Sequence, residues 1–294
     1  MKATKIAFSV ILSTLIILVT LNSTAQGITG NYEPDDTPYL GVVVLFSDAA
    51  RLQPIGYCTG ILLSPTIVLT AGHSCLGVAA ASVCFDKGPI SYTVEEGKIV
   101  YSTTEPIYDG TPIVYPEYVY SVLAGTNYGN HIFSSSDVGL ILLDESAEGI
   151  TEFATLPEAG LADTLPEKSY LRVAGYGMQF QVTPKRGGVP ESWVGTLSCN
   201  SAQVQLMPAN FAVGDRYLRC TANSAKDKGG IAFGDSGGPV LYKPDGDDQE
   251  VVLAINSYAN NANCAGVSYH CRIDTNGVLN WINGFLSTSV GMNP

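Results

Sequence analysis

Short apolar segments recur along the chain between turn-forming residues, and this pattern limits the folds available to it. The segments are four to eight residues long, with Gly, Pro, Asn and Asp in the connections. Segments of this length that are rich in Val, Ile and Leu are typical of β-strands. They cover residues 40–46, 67–70, 138–143, 170–176, 239–242 and 251–258. Their spacing predicts an all-β protein, either an antiparallel sandwich or a barrel.

Composition sets the scale and excludes some partners. A chain of 294 residues has room for one large domain or two medium ones. The segment 156–166, with two prolines among small and acidic residues, is the best candidate for a boundary. Hydrophobic residues make up 46% of the chain and charged residues 14%, so we expect a sizeable core. The formal net charge of −12 argues against nucleic acid and anionic membrane surfaces as partners.

The N-terminus predicts export from the cell. Lys2 and Lys5 precede an apolar run over residues 6–21, and small residues follow, as in a cleaved signal peptide. The run, of about 16 residues, is interrupted by Ser and Thr and is shorter than the ~20 that span a membrane. We predict a signal peptide over residues 1–27, cleaved before Ile28, and a secreted, extracellular chain with no stable membrane association. An uncleaved anchor is the alternative.

One segment near the C-terminus has a helical periodicity. Val278, Ile282 and Phe285 fall on one face of a helix, with Trp281 one step round. The preceding residues 274–275 (Asp-Thr) could cap its N-terminus. We expect this helix to close the chain and to pack on the second half of the protein.

The segment 233–239 (FGDSGGP) places a serine between glycines and directly after an acid. Glycines permit a tight turn and let backbone N–H groups approach whatever the serine attacks. The arrangement suits a nucleophile, but a glycine-rich turn on its own is more often only a turn. A base and an orienting acid elsewhere in the chain decide between these interpretations.

His73 and Asp137 are the candidate base and acid. His73 follows an apolar strand and a small-residue turn, and Asp137 opens another apolar strand. A carboxylate is costly to bury there without a partner, and an imidazole N–H is a suitable one. A turn or capping aspartate is the alternative for Asp137. We expect His131 to be solvated in a polar loop and His270 to have a structural or rim role.

Three motifs together resemble the chymotrypsin/trypsin-like serine endopeptidase family. Residues 70–75 (TAGHSC), 137–142 (DVGLIL) and 234–239 (GDSGGP) occur in the order His, Asp, Ser. Further similarity lies at residues 28–31 (ITGN), 175–177 (GYG) and 257–259 (SYA), so the resemblance covers essentially the whole mature chain. It implies two antiparallel six-stranded Greek-key barrels with a C-terminal α-helix. The N-terminal barrel would cover residues 28–156 and the C-terminal barrel residues 157–294.

The resemblance also implies a role for each matching residue. Ser236 would be the nucleophile, His73 the general base and then acid, and Asp137 the carboxylate that orients the imidazole. Backbone N–H groups of Gly234 and Ser236 would form the oxyanion hole. The family's reaction is peptide-bond hydrolysis through an acyl-enzyme.

The resemblance further implies a link between chain cleavage and activity. Asp235 would pair with the free α-amino group of Ile28, and the chain would be inactive until Ile28 is its first residue. Since the signal-peptide cut itself can fall before Ile28, we expect no activation peptide beyond, at most, residues 26–27.

Substrate choice follows less directly from the sequence. By resemblance, the floor of the primary pocket lies at Gly230, with Ile231 beside it, and no acid stands there. Asp227, between two lysines, is more simply a solvated loop acid. We expect an apolar residue of medium to large size before the scissile bond, rather than Arg or Lys. The remaining pocket positions implied by the resemblance are Ser257, Tyr258, Ala259 and Gly266.

The chain has seven cysteines, and in the exported compartment disulfides persist. The resemblance implies the bridge Cys58–Cys75 and, less directly, Cys199–Cys220. Ala232 stands where many family members have a cysteine, so Cys264 lacks its usual partner. Cys264–Cys271 is then a remaining pairing, with Cys84 as the odd thiol.

Parts of the sequence bear on functions other than that of an endopeptidase. A catalytically inactive homologue that serves as a secreted binding module is the alternative. An esterase is rejected, because its Gly-x-Ser-x-Gly turn leads into a helix and precedes its acid and base, whereas here a strand follows. The acidic run 245–250 could suggest calcium, but a solvated hairpin turn is the simpler interpretation. We expect a monomer without cofactor or metal that acts on protein or peptide substrates.

Overall fold

The computed structural model describes residues 28–95, 98–123, 135–182, 192–194, 196–208, 212–222, 228–262 and 264–289. The predicted signal peptide, His131 and Asp227 lie outside these residues. Strands of the first half are β1 Thr29–Gly30, β2 Glu33–Pro34, β3 Leu40–Phe46, β4 Pro54–Ser64, β5 Ile67–Thr70, β6 Ala80–Cys84, β7 Tyr92–Glu95, β8 Lys98–Tyr101, β9 Ile107–Val114 and β10 Gly139–Leu143.

Strands of the second half are β11 Tyr170–Gly175, β12 Phe180–Val182, β13 Ser192–Val194, β14 Asn200–Leu206, β15 Tyr217–Ala222, β16 Gly229–Gly230, β17 Pro239–Tyr242, β18 Val251–Ala259 and β19 Gly266–Arg272. The α-helices are α1 Gly72–Cys75, α2 Pro116–Leu123 and α3 Asn276–Ser289, and a short 3-10 helix covers Leu161–Thr164. In the described part of the chain, no helix combines the length and apolar character needed to cross a membrane.

The first barrel closes in the strand order β10-β5-β4-β3-β6-β9, with every neighbouring pair antiparallel. Apolar side chains such as Val43, Leu62 and Val68 fill one part of its core and are fully buried. Full burial of an aliphatic side chain contributes about 1.5–3 kcal/mol, so this packing accounts for much of the barrel's stability.

The second barrel runs β11-β17-β18-β19-β15-β14 and closes because β14 also pairs with β11. Val173 pairs with Ala202 of β14 on one side and with Val240 of β17 on the other. Strand β2 adds to the outer side of β14. The predicted fold of two antiparallel six-stranded barrels with a C-terminal helix is confirmed.

The division between the halves falls after the first barrel, with an exception at the N-terminus. The boundary segment 156–166 lies in the connection from β10 to β11. Strands β1 and β2 belong to the N-terminal half of the sequence, but they pair with β16 and β14 of the second half. The first residues of the described chain therefore pack on the second barrel.

A shared apolar cluster joins the barrels. It contains Leu40 and Ile61 of the first barrel and Leu241 and Val252 of the second, all essentially buried. Tyr176 is buried in the same cluster, and its hydroxyl donates to Leu40 O at 3.1 Å. A core that runs through both barrels fixes their relative position, and the site described below is built between them.

Helix α3 also contacts both halves. Val278 and Ile282 are buried, as the periodicity predicts. Trp281, however, packs edge-on against Tyr115, which follows β9 of the first barrel, with ring centroids 5.2 Å apart. The helix therefore contacts the first half in addition to the second half, on which the sequence predicts it to pack. Asp274 forms an ion pair with Arg272 at 2.8 Å, so its carboxylate is engaged there.

Candidate active site

The candidate base and acid meet because their strands are neighbours. Strand β5 leads into α1, which carries His73, and Asp137 lies two residues before β10. The antiparallel register pairs Thr70 with Gly139, so the end of β5 and the start of β10 share one edge of the barrel. The 64 residues between His73 and Asp137 in sequence thus separate two side chains that are in contact.

The pair is joined by two hydrogen bonds. His73 Nδ1 lies 2.7 Å from Asp137 Oδ2, and the backbone N–H of His73 donates to Asp137 Oδ1 at 2.7 Å. A carboxylate can only accept, so Nδ1 carries the proton and Nε2 of the neutral ring is left as an acceptor. The second bond fixes the backbone of α1 relative to the carboxylate, and the ring orientation is therefore set from both sides.

Charge and burial shift the pKa values of both Asp137 and His73. Burial alone raises the pKa of Asp137, but the adjacent imidazole and the hydrogen bonds it receives outweigh burial, and its pKa lies below the ordinary value. Desolvation lowers the pKa of His73, and the Asp137 carboxylate more than offsets this, so its pKa lies above 6.5. Asp137 is therefore ionised at neutral pH, and it favours the protonated form of His73.

Ser257 is a third partner of Asp137. Its hydroxyl donates to Asp137 Oδ2 at 2.5 Å, and both side chains are buried. The resemblance implied Ser257 only as a pocket residue, and its bond to Asp137 was not predicted, because the two residues lie 120 positions apart in the sequence. No local sequence pattern predicts this contact, because it forms only when β18 of the second barrel packs against the first barrel.

Ser236 lies within reach of the imidazole. Its Oγ is 3.0 Å from His73 Nε2, so the hydroxyl donates to the free ring nitrogen. The turn that carries it is held by both barrels: Thr59 N donates to Ser236 O at 2.9 Å, and Gly237 N donates to Asn256 O at 2.8 Å. The His73 side chain is 38% exposed, and the serine–imidazole pair is open to a ligand.

Gly237 is the closest point between the turn and the first barrel. It has φ +82°, and a Cβ at this position would overlap Thr70 Oγ1 and Thr59 O. Only glycine accepts both that backbone conformation and that approach. The residue type predicted from the motif therefore has a specific steric reason.

Hydrogen bonds to their carbonyl oxygens orient the two peptide groups that contain the N–H of Gly234 and the N–H of Ser236. Met178 N donates to Phe233 O at 2.8 Å and Gly238 N donates to Asp235 O at 3.0 Å. Since the N–H and C=O of a trans peptide point in opposite directions, the N–H groups of Gly234 and Ser236 face the other way. Gly234 has φ +99°, and a Cβ there would be 2.5 Å from Tyr57 Cε2.

Asp235 is buried and carries a perturbed carboxyl group. It accepts N–H bonds from Gly177 and Ala232, each at 2.8 Å. Burial raises the pKa of Asp235 to about 7, and the two N–H bonds offset this only in part. Within the described residues, no basic side chain forms an ion pair with it.

The register of β1 brings Ile28 toward Ala232, whose N–H binds this carboxyl group. Thr29 pairs with Gly230, so continuing the antiparallel register places Ile28 opposite Ile231, next to Ala232. Ile28 is fully buried in the second barrel's core. Its φ of +63° is strained for a β-branched residue.

A cavity of about 540 Å³ opens beside the serine–imidazole pair. Its lining includes four of the residues that the sequence assigned to the substrate pocket, Ile231, Ser257, Tyr258 and Ala259, together with His73, Ala232, Phe233, Ser236, Asn261, Ala262 and Cys264. Gly230 and Gly266 are not among the lining residues. Gly230 is instead buried in β16, paired with Thr29, and Gly266 is exposed at the start of β19 with open space around its Cβ position.

Cys264 is a lining residue that the sequence did not assign to the pocket. It is a buried free thiol that accepts a hydrogen bond from the Phe233 N–H, and burial raises its pKa to about 11. The signal was present in the sequence as the replacement of its usual partner by Ala232. Both residues line the cavity, so the loss of the bridge leaves a thiol facing the ligand space.

The predicted disulfides are not formed in this structure, where all seven cysteines are free. Cys199–Cys220 is a wrong prediction, because Cys220 pairs with Leu206, seven residues beyond Cys199 along the sheet. At about 3.3 Å per residue this separates them by ~23 Å, far beyond the reach of a disulfide. Cys58 and Cys75 share one core cluster, but the Cys58 thiol contacts Thr70 Oγ1 at 3.4 Å and no bridge links them.

His270 is structural, as expected. Asn256 Oδ1 accepts from its Nδ1–H at 3.0 Å, and its Nε2 accepts from the Ser268 hydroxyl at 2.8 Å. Burial lowers the pKa of His270 to about 3, so the ring is neutral. In the part of the chain that the structure describes, no cluster of His, Cys, Asp and Glu side chains is arranged to hold a metal ion.

Comparison with known proteins agrees with the geometry. A sequence model of the family described as Trypsin matches residues 31–282, which is most of the chain and includes His73, Asp137 and Ser236. A comparison with curated proteins gave no match.

Proposed function

The chain belongs to the trypsin family, and on that premise we propose that it is a secreted serine endopeptidase. Ser236, His73 and Asp137 hydrolyse peptide bonds through an acyl-enzyme. The observation that carries the proposal is the continuous line from Ser236 Oγ to His73 Nε2 at 3.0 Å and from His73 Nδ1 to Asp137 Oδ2 at 2.7 Å. Nucleophile, base and orienting acid need this contact geometry.

In the proposed reaction His73 accepts and then donates a proton in each of the two half-reactions. Its Nε2 takes the proton of the Ser236 hydroxyl as the oxygen attacks the substrate carbonyl. The N–H groups of Gly234 and Ser236 receive the negative charge that develops on the carbonyl oxygen. The imidazolium then gives its proton to the departing amine. In the second half, His73 takes a proton from a water molecule that attacks the acyl-enzyme, and returns a proton to Ser236 Oγ as the acyl group is released.

Asp137 stabilises the imidazolium in both halves of the reaction. Its lowered pKa keeps it ionised, and it holds the tautomer in which Nε2 can accept a proton. The Ser257 hydroxyl supports this role, because it occupies the lone pair of Oδ2 that His73 leaves free. We assign Ser257 as a positioning residue for the acid.

Cleavage before Ile28 completes the site in this proposal. Among the described residues no cationic side chain pairs with the buried Asp235 carboxyl, and the new α-amino group of Ile28 would supply a cation beside Ala232. Cleavage also removes the peptide bond that defines the strained φ of Ile28. The expected N-terminus of active protein is Ile28. N-terminal sequencing tests this, and active protein that begins at or before Gln26 contradicts it.

The cavity beside Ser236 supports an apolar preference before the scissile bond. Its described lining contains no Asp, Glu, Lys or Arg side chain, and Ile231, Ala232, Ala259 and Ala262 contribute apolar surface. A charged substrate side chain would lose water there without gaining a partner. A peptide library should show cleavage after apolar residues of medium to large size, and a profile dominated by Arg, Lys or Glu would overturn the assignment.

The same library tests the proposed activity itself. Protein that begins at Ile28 should cleave peptides, and Ser236→Ala protein prepared identically should not. If folded wild-type protein cleaves none of them, the chain is a binding module rather than an enzyme. Export is tested separately: full-length chain expressed in its host should appear outside the cell without residues 1–27.

A further inference from the structure

A second cavity lies on the opposite side of the serine–imidazole pair. Its volume is about 440 Å³, and it shares His73, Phe233 and Ser236 with the first. The two cavities therefore meet at the proposed nucleophile. The rest of its lining comes from β3, β4, α1 and the residues after it, the loop after β11 and the turn before Ser236: Leu45, Ile55, Gly56, Tyr57, Ser74, Leu76, Val78, Met178 and Gly234.

Exposed apolar side chains are concentrated at this second cavity. Ile55, Leu76 and Phe233 are 56%, 37% and 53% exposed, and all three line it. Single exposed apolar residues are ordinary, but a group of them around one concave surface indicates a binding site. In a chain of net charge −12, the described lining also contains no Asp, Glu, Lys or Arg.

The walls of this cavity are held by backbone hydrogen bonds. Leu76 N donates to Gly72 O at 3.1 Å at the end of α1. Ile55 stands in β4, one residue after Pro54, which pairs with Phe46. Met178 N bonds Phe233 O at 2.8 Å. A surface built on fixed elements is present before the ligand arrives, so apolar contact is gained at little cost in ordering.

We propose that Ile55 and Leu76 of the second cavity determine specificity on the carboxyl side of the scissile bond, where they select substrates with large apolar side chains. This inference rests on the proposed function. The acyl portion of the substrate occupies the first cavity, and the amine that leaves takes its proton from His73 Nε2. Since the peptide passes over Ser236, its departing part lies against the second cavity. The substrate class is thus a peptide that is apolar on both sides of the cleaved bond.

Two matched peptides test this inference. They are identical up to the scissile bond and continue with Leu-Leu or with Ser-Ser. We expect kcat/KM to be about 10-fold higher for the Leu-Leu peptide, since two aliphatic side chains become partly buried. In Ile55→Ser combined with Leu76→Ser, the ratio should fall to about 2. The ratio compares two substrates in one protein, so a general loss of folded enzyme does not alter it.

Leu52→Ser is the matched control. Leu52 is 48% exposed in the turn before β4 but does not line the cavity. This variant should keep the wild-type ratio. Equal cleavage of the two peptides by wild-type protein overturns the inference, as does a ratio unchanged in the double variant. An N-acyl methyl ester, which has no residue after the scissile bond, separates the two proposals. Turnover of the ester without peptide selectivity contradicts only the second cavity's role, and no turnover of any substrate contradicts both.

Discussion

Asp137 remains ionised in a buried position because its oxygens are engaged. It accepts hydrogen bonds from the His73 backbone, the His73 ring and the Ser257 hydroxyl. An unpaired buried carboxylate would instead take up a proton. Asp235 is the opposite case: burial raises its pKa to about 7, and only two N–H donors offset this. The same residue type is thus set to different protonation states by its partners.

Asp137→Asn should abolish most activity without unfolding the protein. The amide preserves the shape but stabilises the wrong imidazole tautomer, and the same exchange in a chymotrypsin-type enzyme lowers kcat by about 10⁴. We expect a loss of that order in peptide hydrolysis at neutral pH. Asp245→Asn, at an exposed hairpin position, is the matched control and should retain wild-type activity. An Asp137→Asn variant within tenfold of wild type would show that the acid does not orient His73.

The rate should depend on the ionisation of His73. The base must be neutral to accept the serine proton, and the Asp137 carboxylate holds the pKa of His73 above 6.5. The value of kcat/KM should therefore rise with pH, with a midpoint above 6.5. Initial rates from pH 5 to 9 with substrate well below KM measure this. A midpoint clearly below 6.5 would mean that desolvation, rather than the carboxylate, controls the ring.

At the level of elements, the nucleophile turn depends on how closely it approaches the first barrel. Gly237→Ala should cost about 3 kcal/mol or more, because a strained φ and a steric overlap with Thr70 act together. It should also lower activity, since Ser236 must shift. Gly246→Ala tests the strain alone: φ there is +89°, but nothing lies within 4 Å of the Cβ position. We expect Gly246→Ala to lose about 1 kcal/mol of stability and to keep full activity. Urea unfolding measures the loss of stability in both variants. Equal losses in Gly237→Ala and Gly246→Ala would contradict the steric explanation.

The elements also show what the sequence could predict. Apolar segments such as 40–46 and 251–258 became strands, because period and length are local properties. The grouping of Ser236, His73 and Asp137 was predicted from three motifs. The Ser257–Asp137 bond and the position of Gly230 were not, because each depends on how distant strands dock. Cys199–Cys220 failed for a related reason: sequence separation does not reveal where two residues lie along paired strands.

At the scale of the whole molecule, the uncut chain should be sensitive to pH through Asp235. Its pKa is raised from 3.8 to about 7, so the folded state binds the proton more tightly than the unfolded state. The contribution of Asp235 to the stability of the folded state is therefore greatest below pH 4 and is lost as the pH rises to about 7. The loss amounts to on the order of 4 kcal/mol. Cleavage before Ile28 should remove this loss, because the α-amino group stabilises the carboxylate.

Paired unfolding experiments measure this linkage. The free energy of unfolding is compared at pH 5 and pH 8 for chain that begins at Gln26 and chain that begins at Ile28. The two chains have the same titrating side chains from Ile28 onward, so the difference between them reports on Asp235 together with the α-amino group proposed to pair with it. Asp235→Asn in the longer chain is the control and should remove the effect. The same pH dependence in both chains would show that the Ile28 amine does not reach the carboxyl group.

The central claim is that His73 and Asp137 activate Ser236 as a nucleophile. The most direct measurement is covalent labelling with a serine-directed fluorophosphonate, followed by intact mass and peptide mapping. Protein that begins at Ile28 should take up one equivalent on Ser236, Ser236→Ala should take up none, and His73→Ala should react far more slowly. Folded wild-type protein that stays unlabelled, or Ser236→Ala protein that labels equally, would contradict the account.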